Sequence, residues 1–252
     1  MARIELRERV ALITGAAQRV GRVIALELAQ QGVNIMAHFN RAAPSRVRET
    51  MQEIKSLGVE AHAVQADLSD AEGVDFMIAA AAELFDDQLD IVVNNASVFQ
   101  QRDLLDVSLD DWDLTMAVNL RAPFLITQQA ARIMARNPVP GGVIINICDA
   151  GVDGPWAKYP HHGISKSALW MLTQVSALSL GPEIRVNAIA PGPVMKTAGR
   201  VTTDDEWAAI GRRSVLRKTG EPEDLARAVV YICQEDHITG ALLHVNAGEH
   251  LR

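Results

Sequence analysis

Thr14-Gly15-Ala16-Ala17-Gln18-Arg19-Val20-Gly21 is the stretch on which the fold turns. It joins an apolar, β-branched run, Val10–Thr14, to a stretch of helical period, Val20–Gln31. Gly15 permits a tight turn and Gly21 lets helix and sheet approach closely. The N–H groups at the helix start have no partner in the helix and can hold a pyrophosphate. Alone, two glycines between strand and helix also suit a plain structural turn, so the rest of the chain has to decide.

Working outward, the same alternation repeats. Asn34–Phe39, Ala61–Gln65, Ile91–Asn94, Val143–Ile147, Arg185–Ile189 and Leu242–Asn246 read as further strands, several apolar almost throughout. Between them, helices are expected over Ala43–Ser56, Asp70–Phe85, Leu109–Asn137, Ile164–Leu180 and Pro222–Gln234. Ser69 and Ser108 each stand three residues before an acid, Glu72 and Asp111, as N-cap hydroxyls do. Gly32 and Gly58 fall where helices should stop. Repeated βα units imply right-handed crossovers, so the expected class is α/β: a doubly wound parallel sheet with helices on both faces. No linker or composition break divides the chain, which reads as a single domain over residues 1–252. Gly192 to Lys218 is less regular, with a helical patch around Asp204–Ser214. It falls at the carboxyl edge of the sheet and is expected to form a lid.

Composition narrows the function. Of 252 residues, 48% are hydrophobic and 22% charged, as in an ordinary globular protein. A net charge of −7 and no basic stretch longer than a doublet argue against nucleic acid as the main partner. No apolar run reaches the roughly 18 residues of a membrane span. Met1 to Arg9 mixes Arg and Glu with Ile4 and Leu6, unlike a secretory signal. Cys148 and Cys233 cannot make a disulfide framework, and a reducing cytoplasm is the expected setting.

The glycine turn is not alone. Asp67-Leu68 follows the third strand and Asn94-Asn95-Ala96-Ser97 the fourth. Asn119 lies in the long helix, Lys166 opens the next, and Pro191-Gly192-Pro193 follows the sixth strand. In this order and spacing, over nearly the whole chain, they resemble the short-chain dehydrogenase/reductase family. The resemblance implies a Rossmann domain with a seven-stranded parallel sheet, a homotetramer, and hydride transfer between a nicotinamide and a small-molecule substrate. It places the cofactor against Gly15, Gln18, Arg19, Val20, Gly21, Asn40, Arg41, Asp67, Leu68, Asn95, Ala96, Lys166, Pro191, Gly192 and Val194.

A carboxylate at the end of the second strand would accept bonds from an NAD ribose and repel a phosphate. Here that place reads His38-Phe39-Asn40-Arg41, and Arg19 stands in the turn where many family members have glycine. Two fixed guanidinium charges suit the 2′-phosphate of NADP(H).

Family members use a Tyr as acid, a Lys four residues later, a Ser at the preceding strand end and an Asn that holds a relay water. Asn119 and Lys166 are present. The Ser position is Asp149, and four residues before Lys166 stands His162. The pteridine reductases, one branch of the family, also carry Asp there, with Arg in the glycine turn and a Phe two residues after Asn-Asn-Ala-Ser. Arg19, Ser97, Phe99 and Asp149 match that set, which implies a flat heterocycle between nicotinamide and Phe99, with Trp156 and Tyr159 beside it. Asp149 and His162 would share the proton as a coupled pair. Tyr159 is a second candidate acid: were the helix to extend back that far, it would stand two turns before Lys166 on the same face. His161-His162 lacks a third metal ligand, so His161 is expected to be structural or solvent-facing and no metal is assigned.

Three functions follow: an NADPH-dependent reductase of pterin-like substrates, a reductase of other small carbonyl compounds, or a cofactor-binding protein without turnover that acts as sensor or scaffold. For assembly, Leu169, Leu172, Val175, Ala177 and Leu178 offer more apolar surface than one sheet face needs.

Overall fold

The computed structural model of the chain describes residues 4–139, 141–196 and 201–252. Its strands are β1 (Val10–Ile13), β2 (Asn34–Phe39), β3 (Ala61–Gln65), β4 (Ile91–Asn94), β5 (Gly142–Ile147), β6 (Ile184–Pro191) and β7 (Leu242–Val245). All pair in parallel, in the order β3-β2-β1-β4-β5-β6-β7. The expected doubly wound sheet is what forms. Its strand order reverses between β1 and β4, so the turns after those two strands diverge and leave a crevice at their carboxyl ends.

Burial explains the near-continuous apolar strands. In β1, Ala11 and Ile13 enter a core with Ile24 and Leu28 of α1 (Arg19–Gln30), Ile54 of α2 (Pro44–Ser56) and Val229 and Ile232 of α8 (Pro222–Gln234). Val10 and Leu12 enter the opposite core, with Val74 and Met77 of α3 (Ala71–Leu84) and Ile126 and Ile133 of α5 (Ala122–Met134). A strand covered on both faces has no place for alternation with polar residues.

Four elements differ in detail from the sequence reading. The helix expected over Leu109–Asn137 is α4 (Leu109–Met116), a π turn at Ala117–Arg121 and then α5. Pro123 has no N–H to donate to the Asn119 carbonyl, so the α-helical ladder cannot pass this point unaltered. Ser108 caps α4, accepting from Asp111 N–H at 3.1 Å. Ser69 does not cap α3. Asp70 does, accepting from Glu72 N–H, while the Ser69 hydroxyl donates to the charged Asp67 carboxylate at 2.7 Å.

The next helix, α6 (Pro160–Leu180), starts a turn earlier than expected, with Pro160 at its first position. His161 and His162 therefore sit in its first turn. Tyr159 is the residue before it, in non-helical geometry, so the two-turn helical relation to Lys166 does not hold. In the segment 192–218, α7 (Asp204–Gly211) is shorter than the expected patch and is closed at its start by a Thr203–Glu206 capping box. Residues 197–200 of that segment lie outside the described residues. Among the described residues, no helix is long and apolar enough to cross a membrane.

Candidate active site

The glycine turn fits a dinucleotide. Gly15 has φ +71°, a conformation glycine takes without strain, and a Cβ at Gly21 would collide with the Gly15 carbonyl oxygen. Gln18 precedes α1 without a side-chain cap, so the first amides of that helix are left for an anion.

Neighbouring strands hold the turn. The Thr14 hydroxyl accepts from the N–H groups of Asn95 and Ala96, both at 2.9 Å, and Asn95 Nδ2 donates to Thr14 O at 2.8 Å. From the other side, Gly15 N–H donates to His38 Nδ1 at 3.2 Å. His38 Nε2 lies 3.1 Å from Ala66 O, which can only accept, so the proton is on Nε2. Burial lowers the pKa of His38. The sequence reading took His38 only as part of a stretch lacking an acid. Its place at the carboxyl end of a strand beside the turn was the available signal. Thr14, likewise unassigned in the sequence, carried no such mark.

Around the expected 2′-phosphate position, Asp67 accepts from Ser69, which with help from Asn40 and Arg41 holds its pKa below the usual carboxylate range. Leu68 beside it is buried. Arg41 is exposed. Arg19, the first residue of α1, has φ +55°, and its guanidinium donates to Lys196 O at 2.8 Å. Its neighbour Val20 packs on the core shared by α1 and α8. Glycine would suit the Arg19 backbone better, so the side chain has to account for the choice.

At the third edge of the crevice, Pro191 ends β6 and Gly192 N–H donates to Val245 O at 3.0 Å. A Cβ on Gly192 would lie 2.8 Å from Asn246 Cα. Val194 packs on the same core as Val20.

Asp149 and His162 meet in direct contact, Oδ2 to Nε2, and both are buried. Asp149 Oδ1 accepts from Gly151 N–H at 2.8 Å, which seats it over the turn Ala150–Val152. His162 Nδ1 lies 3.0 Å from Val98 O. A carbonyl accepts only, so Nδ1 carries a hydrogen. The Nε2–Oδ2 contact sets imidazole and carboxylate face to face, where a proton can be shared. The pair is thus a buried site that can hold and pass a proton.

Asn119 builds the frame around it. Its Oδ1 accepts from Val98 N–H at 2.8 Å, and its Nδ2 donates to Val98 O and Ser165 Oγ, both at 3.0 Å. Ser165 in turn donates to His162 O at 2.7 Å. Ser97 also turns its hydroxyl to Asn119, at 3.2 Å. The sequence reading missed Ser165 and the Val98 carbonyl. Main-chain acceptors leave no trace in a sequence, and Ser165 reads as one more helix residue.

Lys166 is buried, and its ammonium donates to Ile147 O at 2.7 Å. Burial lowers its pKa. The neighbouring Cys148 thiol is pushed up to about 12 by burial, so it supplies no proton at neutral pH.

Aromatic rings cover the pair. Phe99 meets His162 edge-on at 4.7 Å and stacks on Tyr159 at 4.3 Å, with Trp156 edge-on to both. The Tyr159 hydroxyl turns away to Gln101 Oε1, at 3.4 Å. His161 is buried rather than solvent-facing, and neither of its ring nitrogens has a partner among the described residues. Among the described residues, no group of three or more His, Cys, Asp or Glu is placed to hold a metal.

The C-terminal turn, unassigned in the sequence, also reaches the site. Burial raises the pKa of Glu249, against the pull of Arg213, and the nearby charge of Asp149 raises it further. His244 pairs with Asp153 at 2.7 Å, tying β7 to the turn that follows Asp149.

A family model described as enoyl-(acyl carrier protein) reductase matches residues 15–250. A solved short-chain dehydrogenase/reductase from Serratia marcescens is 31% identical, with a TM-score of 0.90 over 98% of this chain and 100% of that one. The chain belongs to the short-chain dehydrogenase/reductase family. FolM alternative dihydrofolate reductase 1 from Brucella canis, solved with NADP, is another family structure it resembles. That likeness is 28% identity and a TM-score of 0.89 over 99% of this chain and 97% of that one. Among curated relatives, the 3-oxoacyl-[acyl-carrier-protein] reductase FabG of Aquifex aeolicus is 32% identical over 97% of this chain and 98% of its own.

Proposed function

We propose that this family member is an NADPH-dependent reductase of a small, flat, conjugated heterocycle of the pterin class. The observation that carries the reading is the buried Asp149–His162 pair in direct contact, with the ring of Phe99 edge-on to the imidazole. An aromatic platform beside a proton donor suits a substrate that is planar and gains a proton at a ring nitrogen. The likeness to a FolM dihydrofolate reductase solved with NADP supports the same class.

Gly15, Gln18, Val20 and Gly21 cradle the pyrophosphate, and Arg19 and Arg41 hold the 2′-phosphate. Asp67, Leu68, Asn95, Ala96, Pro191, Gly192 and Val194 line the rest of the cofactor cleft, and Lys166 holds the nicotinamide ribose. When bound, the reduced nicotinamide supplies a hydride. Phe99 stacks on the substrate ring, Ser97 binds its polar edge, and Trp156 and Tyr159 close the aromatic side. Asp149 delivers the proton, and His162, fixed by Val98 O, holds it in the pair. Asn119 keeps the Val98 segment and His162 in register.

The likeness to FabG favours a second reading, reduction of a small ketone. Oxidation of NADPH with dihydrobiopterin and with a panel of diketones separates the two. Turnover of dihydrobiopterin alone is expected. Turnover of diketones alone would select the second reading. Tight NADPH binding with no oxidation by any substrate would instead mark a cofactor-binding sensor.

A further inference from the structure

Asn246 follows the last strand and is 4% exposed. Its Oδ1 lies 3.1 Å from the Gly248 N–H and 3.0 Å from His250 Nδ1. Turning the amide over would set NH2 against the Gly248 N–H, so the orientation is fixed by chemistry. The Nδ2 group is buried, with no hydrogen-bond partner among the described residues.

Asn246 lines a cavity of about 510 Å3 between the end of β6, the last part of the 192–218 segment and the C-terminal turn. Val215, Leu216, Val245 and Leu251 supply apolar wall, and neither Asp149, His162 nor Phe99 lines it.

The other polar groups there are mostly committed. Asp224 accepts from Glu221 N–H and pairs with Arg227, and His244 pairs with Asp153. Lys218 at the rim has no ion-pair partner among the described residues. Three groups are left: a buried amide NH2 on Asn246, costly to leave unpaired, the Lys218 ammonium and the Thr219 hydroxyl, all able to donate.

We infer that this cavity is a second binding site, separate from the catalytic pair, for a small molecule with a carboxylate on an apolar body. The carboxylate accepts from Asn246 Nδ2 and pairs with Lys218, and the body fills the apolar wall. The volume is within the range of small-molecule pockets, roughly 300–1,000 Å3. The site adjoins the segments that would close over a substrate: Leu216 N–H donates to Ala247 O at 3.1 Å.

The test is calorimetric titration of the full chain, saturated with NADPH, with octanoate and with octan-1-ol. Octanoate is expected to bind saturably and octan-1-ol is not. Asn246→Asp, which turns the donor into a carboxylate, and Lys218→Glu should each weaken octanoate binding by at least about tenfold, as loss of a charge-assisted hydrogen bond does. NADPH affinity should not change. If Asn246→Asp does not fold, Lys218→Glu on the exposed rim decides. Absence of saturable binding, equal binding by the variants, or displacement of octanoate by NADPH would each overturn the inference.

Discussion

At the scale of the residue, the chemistry is concentrated in side chains that local propensity would not choose. Arg19 is held at φ +55°, which costs a residue with a Cβ roughly 1–2 kcal/mol. Arg19→Gly removes that strain against a glycine penalty of roughly 0.5–1 kcal/mol. A small gain in stability is expected in urea melts, with a loss of preference for NADPH over NADH. A gain in stability with unchanged preference would show that Arg19 is not kept for the 2′-phosphate. Tyr159 has its ring on Phe99 and its hydroxyl on Gln101, and its proposed role is an aromatic wall rather than the acid. Tyr159→Phe should then keep kcat, while Tyr159→Ala raises KM for a ring substrate. Loss of kcat in Tyr159→Phe would return the phenol to the mechanism.

His38 gives a pH dependence whose sign is set by burial. Its folded pKa is lowered from an ordinary value of about 6.5, so below that value the unfolded chain binds more protons than the folded one. Its contribution to stability is present above about pH 6.5 and declines as pH falls toward the lowered value. Protonated Nδ1 would also face Gly15 N–H, donor against donor. His38→Gln, which retains an acceptor for Gly15, should flatten this part of the stability–pH curve in chemical unfolding series. An unchanged slope would contradict the assignment.

At the scale of the element, the alternation of strands and helices was legible because burial on both faces of the sheet writes itself into the apolar runs. Gly32 and Gly58 end their helices at φ +83° and +84°, as their positions announced. The π turn at Asn119 and the early start of α6 were not legible. Pro123 and Pro160 mark both places, but a Pro near a helix start and a Pro that forces a wider turn look alike in one dimension. The same limit hid the site: Asp149, His162, Lys166 and Asn119 were nameable through the resemblance to the family's motif, whereas the Val98 carbonyl that fixes the imidazole was not. Gly21→Ala tests the element that carries the cofactor. Its Cβ has no room against Gly15 O, so α1 must shift. NADPH affinity should fall by more than about tenfold, with a loss of stability of order 1–3 kcal/mol from overpacking. Wild-type affinity in this variant would remove the argument that close helix–sheet approach shapes the cleft.

At the scale of the whole molecule, the proposed homotetramer has a surface to use. Of the α6 residues marked for assembly, Leu169 and Ala177 are spent on the chain's own core, while Val175 and Leu178 face outward. Leu109, Phe124, Ile164 and Met171 extend the exposed apolar surface across α4, α5 and α6. An open groove of about 830 Å3 also lies there, lined by Leu114, Leu120, Phe124 and Leu172 among others. A face this apolar is expected to be covered by a second copy. Light scattering at micromolar concentration should give four chains, and Leu178→Glu should lower that number. A wild-type monomer would contradict the proposal.

The central claim is that Asp149, paired with His162, gives the proton that a phenol gives in other family members. It is tested most directly by kcat for NADPH oxidation with dihydrobiopterin in Asp149→Asn, measured beside the NADPH dissociation constant of the same preparation. The amide keeps the size of the carboxyl but cannot release its proton. The account predicts that kcat falls by at least about a hundredfold, the lower end of what a positioned acid contributes, while NADPH affinity stays within about twofold of wild type. A variant that turns over as fast as wild type would contradict it.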